Sequence, residues 1–128
     1  MLNEPDKALW KKAEPLIRAK LLQPPSANEL SRALALDPKR TEAFLVRVAK
    51  VGLAVRVPEN RFFLPAGIQR YLALVQQLAA ENQGAVTVAQ LRDRAEVGRG
   101  IAVDVLEYFD KIKITRRVGA EHLLDRSV

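Results

Sequence analysis

The chain has 128 residues, of which 48% are hydrophobic, so it can form one ordinary domain or two very small ones. It contains no cysteine and a single histidine, which excludes a disulfide framework, a thiolate nucleophile and a cysteine-based metal site. The formal net charge of +6 favours a polyanionic partner, and no apolar run reaches the length of a membrane span.

The first half of the chain predicts a series of helices followed by a β-hairpin. The predicted elements are the helices Pro5–Ala19, Ala27–Leu34 and Pro38–Lys50 and the strands Leu53–Val57 and Arg61–Leu64. Ser26 and Glu29 have the spacing of a capping box, and Asp37 precedes a proline at the first helical position. A Pro-Glu-Asn turn at residues 58–60 joins the strands.

The second half repeats this order. An offset of 61 residues aligns 30–63 with 91–124 without a gap and matches apolar positions throughout, for example Leu30 with Leu91 and Leu45 with Leu106. The corresponding elements are the helices Ile68–Asn82, Val88–Ala95 and Gly100–Lys111 and a hairpin that turns at Val118–Ala120.

Three helices with a short turn between the second and third, followed by a hairpin, are typical of a helix-turn-helix with a β-wing. The sequence therefore predicts a mainly α fold with small β-wings: two tandem winged-helix domains, at 1–65 and 66–128. We expect no membrane contact and a monomer.

The sequence does not predict catalytic chemistry. No phosphate-binding loop is present, no His or acidic cluster has metal-ligand spacing, and the serines have no base nearby in the predicted fold. We therefore expect a binding protein with no cofactor and no metal.

The charges are unevenly distributed. Residues 1–65 hold 12 lysines and arginines against 7 acidic residues, whereas residues 66–128 hold 9 against 8. In the first copy, Lys39, Arg40 and Arg47 form a basic helix face that is either simply solvated or able to follow a phosphate backbone. In the second copy, Asp104, Glu107 and Asp110 form an acidic stripe, which would repel phosphates along a duplex groove.

Basic residues of the second copy concentrate at the start of its third helix and on its wing. They are Arg92, Arg94 and Arg99, next to Gly98 and Gly100, and Arg116 and Arg117 on the wing. Glycine lets a backbone come close to a ligand, and a helix start favours an anion. Strand alternation predicts that Ile114, Arg116 and Val118 share the apolar face. Arg116 then either reaches out to water, or its guanidinium grips a phosphate or stacks on an unpaired base.

Two stretches resemble a known family. Val97–Ile112 (VGRGIAVDVLEYFDKI) and Thr115–Leu124 (TRRVGAEHLL) resemble the C-terminal end of bacterial SelB, the selenocysteine-specific elongation factor. The LEYFD and TRR runs are the specific part. The opening Asp6–Pro15 (DKALWKKAEP) resembles the start of the third winged-helix domain of that factor.

The resemblance implies a function. Residues 1–65 and 66–128 would correspond to the third and fourth winged-helix domains of SelB, with its GTPase outside this chain. The fourth would bind a stem-loop of mRNA downstream of a UGA codon. The RNA-binding residues implied are Arg92, Arg94, Gly98, Arg99, Gly100, Lys113, Arg116, Arg117 and His122.

Other readings stay open from the residues themselves. His122 is expected to be exposed, and Lys39, Arg40 and Arg47 are candidates for contact with ribosomal RNA or tRNA. A winged-helix DNA-binding transcription regulator would have the same fold, and a protein-interaction scaffold would use exposed apolar surface instead. The expected location is the cytoplasm.

Overall fold

Within the residues that the structure describes, the first unit (Met1–Ile68) has the predicted order of helices and hairpin. The structure is a computed structural model that describes residues 1–58 and 60–128. The elements of this unit are α1 (Glu4–Ala19), α2 (Ala27–Ala33), α3 (Pro38–Lys50), β1 (Val55–Val57) and β2 (Arg61–Phe63). β1 and β2 pair antiparallel, with Arg56 opposite Phe62. Glu59 of the predicted turn lies outside the described residues.

The second unit (Gln69–Val128) begins within a helix and repeats the order. Its elements are the part of α4 (Pro65–Glu81) that follows Ile68, and then β3 (Ala85–Thr87), α5 (Val88–Ala95), α6 (Arg99–Lys111), β4 (Thr115–Val118) and β5 (Glu121–Leu124). The prediction of mainly helical winged-helix domains is confirmed.

The boundary between the units falls inside α4, between Ile68 and Gln69, whereas the sequence predicts it between residues 65 and 66. Gly67 explains why the first turn of α4 belongs to the first unit. A Cβ atom at Gly67 would lie 2.7 Å from the backbone oxygen of Leu21, so only glycine permits this close approach.

Side-chain caps start the helices at the predicted places. Ser26 and Glu29 form the capping box of α2, and the Asp37 carboxylate accepts hydrogen bonds from backbone N–H groups of α3. Thr87 and Gln90 form a second capping box on α5. Each cap satisfies N–H groups that no helical carbonyl can reach, and so fixes where the helix begins.

Apolar residues at helical spacing form the core of each unit. Ile17, Leu30 and Phe44 are fully buried in the first unit, and Tyr71 and Phe109 in the second. Burial of a side chain of this size stabilises a fold by about 1.5–3 kcal/mol.

Strand β3 was not predicted from the sequence. It pairs antiparallel with β5, with Val86 opposite His122, and makes the second sheet three-stranded in the order β3-β5-β4. Its three residues are too few for a periodicity signal, and their pairing partner lies far along the chain. The predicted two-stranded hairpin is therefore incomplete in the second unit.

The repeat also extends to the backbone, because two equivalent residues of different type share the same unusual conformation. Ala35 and Glu96, which are equivalent under the 61-residue offset, are both left-handed, with φ of 54° and 57°. They lie in the turns between the second and third helices of the two units. The shared conformation shows that both turns reverse the chain in the same way, although neither left-handed position is occupied by glycine, which would adopt this conformation without strain.

We expect that Ala35→Gly and Glu96→Gly each raise the free energy of unfolding by about 0.5–1 kcal/mol, because glycine relieves the strain of a left-handed residue. Urea unfolding followed by circular dichroism measures this. Ala33→Gly, at an exposed helical position, is the matched control and should lower stability by about 1 kcal/mol. Destabilisation by all three variants would contradict the prediction.

Candidate nucleic-acid interface

A groove of about 380 Å³ separates α6 from the wing of the second unit. Arg99, Val103 and Glu107 line it from α6, since residues four apart share one helix face. Arg117 and His122 line it from the wing. We call it the α6–wing groove. It joins two arginines that are 18 positions apart in the sequence.

The two arginines of the groove are available to an anionic ligand. Arg99 makes no ion pair with any described residue, and Arg117 donates from Nε only to the backbone oxygen of Gly119, at 3.2 Å. Both residues are exposed. A guanidinium has five N–H donors, so Arg117 keeps most of its donors for a phosphate.

Arg116 lies on the other face of the wing. The predicted alternation is wrong here: Thr115 is buried, with 3% of its surface exposed, whereas Arg116 is exposed and Val118 is 47% exposed. The reason is that the Thr115 hydroxyl donates a hydrogen bond to an oxygen of Asp110 at 2.6 Å, which holds the Thr115 side chain inward, toward α6.

Arg116 shares a second hollow, of about 800 Å³, with Lys113 and Arg126. Lys113 is exposed and left-handed, with φ of 66°, and so takes the conformation of the equivalent Gly52. Arg126 was not predicted as a site residue. Its position two residues after β5, the last strand, is the sequence signal that could have indicated it.

Arg92 and Arg94 differ from Arg99 because they have acidic partners. Arg94 donates to both carboxylate oxygens of Glu81, at 2.6 and 3.0 Å, and this hydrogen bonding lowers the pKa of Glu81. Arg92 donates to Asp93 at 2.9 Å, and this bond raises the pKa of Arg92. The predicted RNA-binding set therefore divides into paired and unpaired arginines.

Gly98 and Gly100 stand at the exposed start of α6. A Cβ atom at either position would meet nothing within 4 Å, and neither residue has a positive φ. Neither internal packing nor backbone conformation therefore requires glycine here. Close approach of an external ligand is a physical reason that remains.

His122 is buried, with 4% of its surface exposed, so the prediction of an exposed histidine is wrong. Its Nδ1 lies 3.0 and 2.9 Å from the two carboxylate oxygens of Asp110. The strand pairing of β4 and β5 places His122 directly opposite Arg117. The contact with α6 is long-range, which the sequence pattern does not reveal.

The acidic stripe of α6 is partly used inside the fold. Asp110 accepts from Thr115 and binds His122, so its charge points toward the wing. Glu107 is exposed and lines the α6–wing groove. A carboxylate at this place can accept hydrogen bonds from a nucleobase but repels phosphate.

In the first unit, Lys39 and Arg40 are exposed at the start of α3. Arg47, which was predicted to share their face, donates to both carboxylate oxygens of the buried Asp6, at 2.7 and 3.1 Å. This bidentate pair connects α3 to α1 and lowers the pKa of Asp6. The guanidinium of Arg47 is thus already engaged in holding α3 to α1, whether or not it also contacts a ligand.

No three His, Asp or Glu side chains among residues 1–58 and 60–128 are arranged to hold a metal ion. No helix in this part of the chain is both long and apolar enough to cross a membrane.

Comparison with known proteins identifies the family. A family model described as "Elongation factor SelB, winged helix" matches residues 77–124. The mRNA-binding domain of elongation factor SelB from E. coli, solved in complex with SECIS RNA, has a TM-score of 0.86 and 32% identity, and the match covers 96% of this chain and 98% of that one. The chain belongs to the SelB family.

The predicted resemblance to SelB is therefore confirmed. Full-length relatives are the selenocysteine-specific elongation factors of Haemophilus influenzae (35% identical over 102 residues) and Escherichia coli (33% over 122 residues). These matches cover 79% and 95% of this chain but only 16% and 19% of those relatives.

A crystal structure of a bacterial selenocysteine-specific elongation factor EF-Sec has a TM-score of 0.70 at 21% identity, covering 98% of this chain and 20% of that one, and supports the fold alone. The matched family model describes the third winged helix of SelB, whereas residues 66–128 were predicted to correspond to the fourth. The correspondence with the fourth domain stays a prediction.

We expect Asp6→Asn to lower the free energy of unfolding by about 1–2 kcal/mol at neutral pH, because it removes a partly buried ion pair. The folded state holds the pKa of Asp6 below its ordinary value, so this stabilisation is present above the ordinary aspartate range and is lost as the pH falls through the lowered pKa. Urea unfolding of both proteins across pH measures it.

The control is Glu4→Gln, which removes an exposed pair with Lys7 and should change stability little. An Asp6→Asn effect of equal size in strong acid would contradict the electrostatic explanation.

Proposed function

We propose that this chain binds a selenocysteine-insertion stem-loop of mRNA through its second winged-helix unit. The observation that carries the proposal is the similarity, over nearly the full length of both chains, to the E. coli SelB domain solved with SECIS RNA. The unpaired Arg99 and Arg117 of the α6–wing groove support the choice of the second unit.

The chemistry of the groove suits the tip of a hairpin better than a long duplex. Arg99 and Arg117 neutralise phosphates and orient the RNA, and exposed Gly98 and Gly100 let its backbone approach the start of α6. A-form RNA has a deep major groove that admits no helix, so sequence is read from unstacked loop or bulge bases. Glu107 would exclude a continuous run of phosphates along α6.

In the complete factor, this contact would tether a selenocysteine-specific elongation factor near a UGA codon. The chain would act by binding and not by catalysis. Exposed Lys39 and Arg40 in the first unit are our candidates for contact with ribosomal RNA or tRNA. Arg47 could join such a contact only while it also holds Asp6.

We expect Arg99→Ala, Arg116→Ala and Arg117→Ala each to weaken binding of a bulged RNA hairpin from a selenoprotein message by about 1–3 kcal/mol, with little effect on folding. Arg94→Ala is the matched control and should have a smaller effect, because its guanidinium is already paired with Glu81. Fluorescence anisotropy at several salt concentrations measures the affinities.

The same titration includes a bulge-deleted hairpin and a DNA duplex. Tight binding that depends on the bulge supports the proposal, whereas equal, salt-sensitive binding to all three would favour the DNA-binding regulator. A Lys39→Glu, Arg40→Glu double variant should bind the hairpin normally and lose affinity for ribosomes. Wild-type hairpin binding by all three groove and wing variants would contradict the site.

Gly100→Ala should change stability and binding in opposite directions. Alanine is the better helix former and meets no atom here, so the free energy of unfolding should rise by about 0.4–1 kcal/mol. Its methyl group would obstruct close approach of RNA, so hairpin affinity should fall. Calorimetric unfolding and the same anisotropy assay measure both effects, and unchanged affinity would contradict a contact at this glycine.

A further inference from the structure

His122 is held by a network that joins three elements of the second unit. Its Nδ1 lies 2.9–3.0 Å from the carboxylate of Asp110 on α6. The same carboxylate accepts from the hydroxyl of Thr115 on β4 at 2.6 Å. These contacts fix the imidazole between the wing and α6.

The winged-helix fold itself does not require this network. Under the 61-residue offset, the first-unit equivalents of Asp110, Thr115 and His122 are Ala49, Ala54 and Arg61. The first unit folds the same way with two alanines at these positions. The network is therefore a feature of the second unit and not of the repeated fold.

The carboxylate decides which nitrogen of His122 carries the proton. Asp110 can only accept a hydrogen bond, so Nδ1 must be the donor. In the neutral imidazole, Nε2 then carries a lone pair and is an acceptor.

His122 lines the α6–wing groove, and Nε2 is the ring nitrogen left for a ligand there. Nε2 has no hydrogen-bond partner among the described residues, and no fully buried polar side-chain atom in this part of the chain lacks a partner. Nε2 must therefore reach solvent, and His122 lines the α6–wing groove. The ring is otherwise buried, so this edge is what it presents to a ligand.

The surroundings of Nε2 define the ligand chemistry. Arg117, directly opposite on the paired strand, and Arg99 across the groove are cations suited to phosphate, and the carboxylate of Glu107 also lines the groove. A neutral acceptor among them does not suit a phosphate oxygen. It suits a hydrogen-bond donor beside the phosphate, which in RNA is a ribose 2′-hydroxyl or a base amino or imino group.

We propose that His122 is a specificity-determining residue of the α6–wing groove, whose Nε2 accepts a hydrogen bond from a 2′-hydroxyl or base N–H of the bound RNA. Asp110 and Thr115 are positioning residues that hold the ring and its tautomer. This inference rests on the proposed function and adds the chemical group that is read.

Two substitutions separate the two edges of the ring. His122→Asn keeps an amide N–H near the position of Nδ1, for Asp110, but has no atom at the position of Nε2. His122→Gln places its amide near Nε2. Thr115→Val removes a hydrogen bond to the same carboxylate without removing a groove atom.

We expect His122→Asn to bind the bulged hairpin roughly tenfold more weakly than wild type, as for a lost hydrogen bond to a desolvated partner. His122→Gln should recover most of that affinity. Thr115→Val should lower the unfolding midpoint while keeping discrimination among RNAs. A His122→Asn protein that binds as tightly as wild type would overturn the proposal.

The contacted group is found with hairpins altered at one group each. One arm carries single 2′-deoxy substitutions in the loop and bulge, and the other carries bases lacking one amino group, such as inosine for guanosine. Wild type should lose affinity for one such hairpin, and His122→Asn should bind that hairpin and the parent equally. An equal loss on every hairpin would overturn the specificity role.

A measurement on the wild-type protein avoids variants that fail to fold. Because His122 is the only histidine, ¹⁵N-histidine labelling gives one imidazole in the NMR spectrum. At a pH at which the imidazole is neutral, Nε2 should be the unprotonated nitrogen in the free protein, and its resonance should shift when the hairpin saturates the protein. A protonated Nε2, or no shift at saturation, would overturn the proposal. Absence of any bulge-dependent binding would instead overturn the proposed function.

Discussion

The carboxylate of Asp110 is the contact on which the proposed interface of the second unit depends. It accepts a hydrogen bond from the hydroxyl of Thr115 on β4 and contacts the imidazole of His122 on β5. It also belongs to α6, the helix that carries Arg99. Through this carboxylate, side-chain hydrogen bonds connect both strands of the β4–β5 hairpin to α6. The position of Arg117 relative to Arg99 follows from this connection, since Arg117 lies between Thr115 and the wing turn and opposite His122.

Pairing with acidic residues, more than the number of arginines, distinguishes one part of the surface from another. Arg94 and Arg92 face carboxylates, whereas Arg99 and Arg116 have none among the described residues. Exposed ion pairs contribute little to stability. They still matter for binding, because a paired guanidinium must give up or share its partner before it can bind phosphate. The second unit has nearly balanced charge, yet its unpaired arginines can form a more localised anion site than the more basic first unit.

The two units use one backbone plan for different surfaces. Their helix-turn-helix turns share a left-handed residue, and Gly52 and Lys113 share a second. Their wings differ, because Val57 is fully buried whereas the equivalent Val118 is 47% exposed. A third strand and a polar network replace apolar contacts in the second wing. The repeat therefore preserves the fold while the wing is free to acquire binding chemistry.

The sequence alone determined the parts of this protein that depend on neighbouring residues. Caps such as Ser26 and Asp37, the helical periodicity of the core, the winged-helix order and the resemblance of the LEYFD and TRR runs all lie within short stretches. The tertiary structure decided what depends on residues far apart. The pairing of Arg47 with Asp6, the strand β3, the inward turn of Thr115 and the burial of His122 each need a partner that folding brings near. Local patterns carry no record of such partners, and burial and hydrogen bonding are set by them.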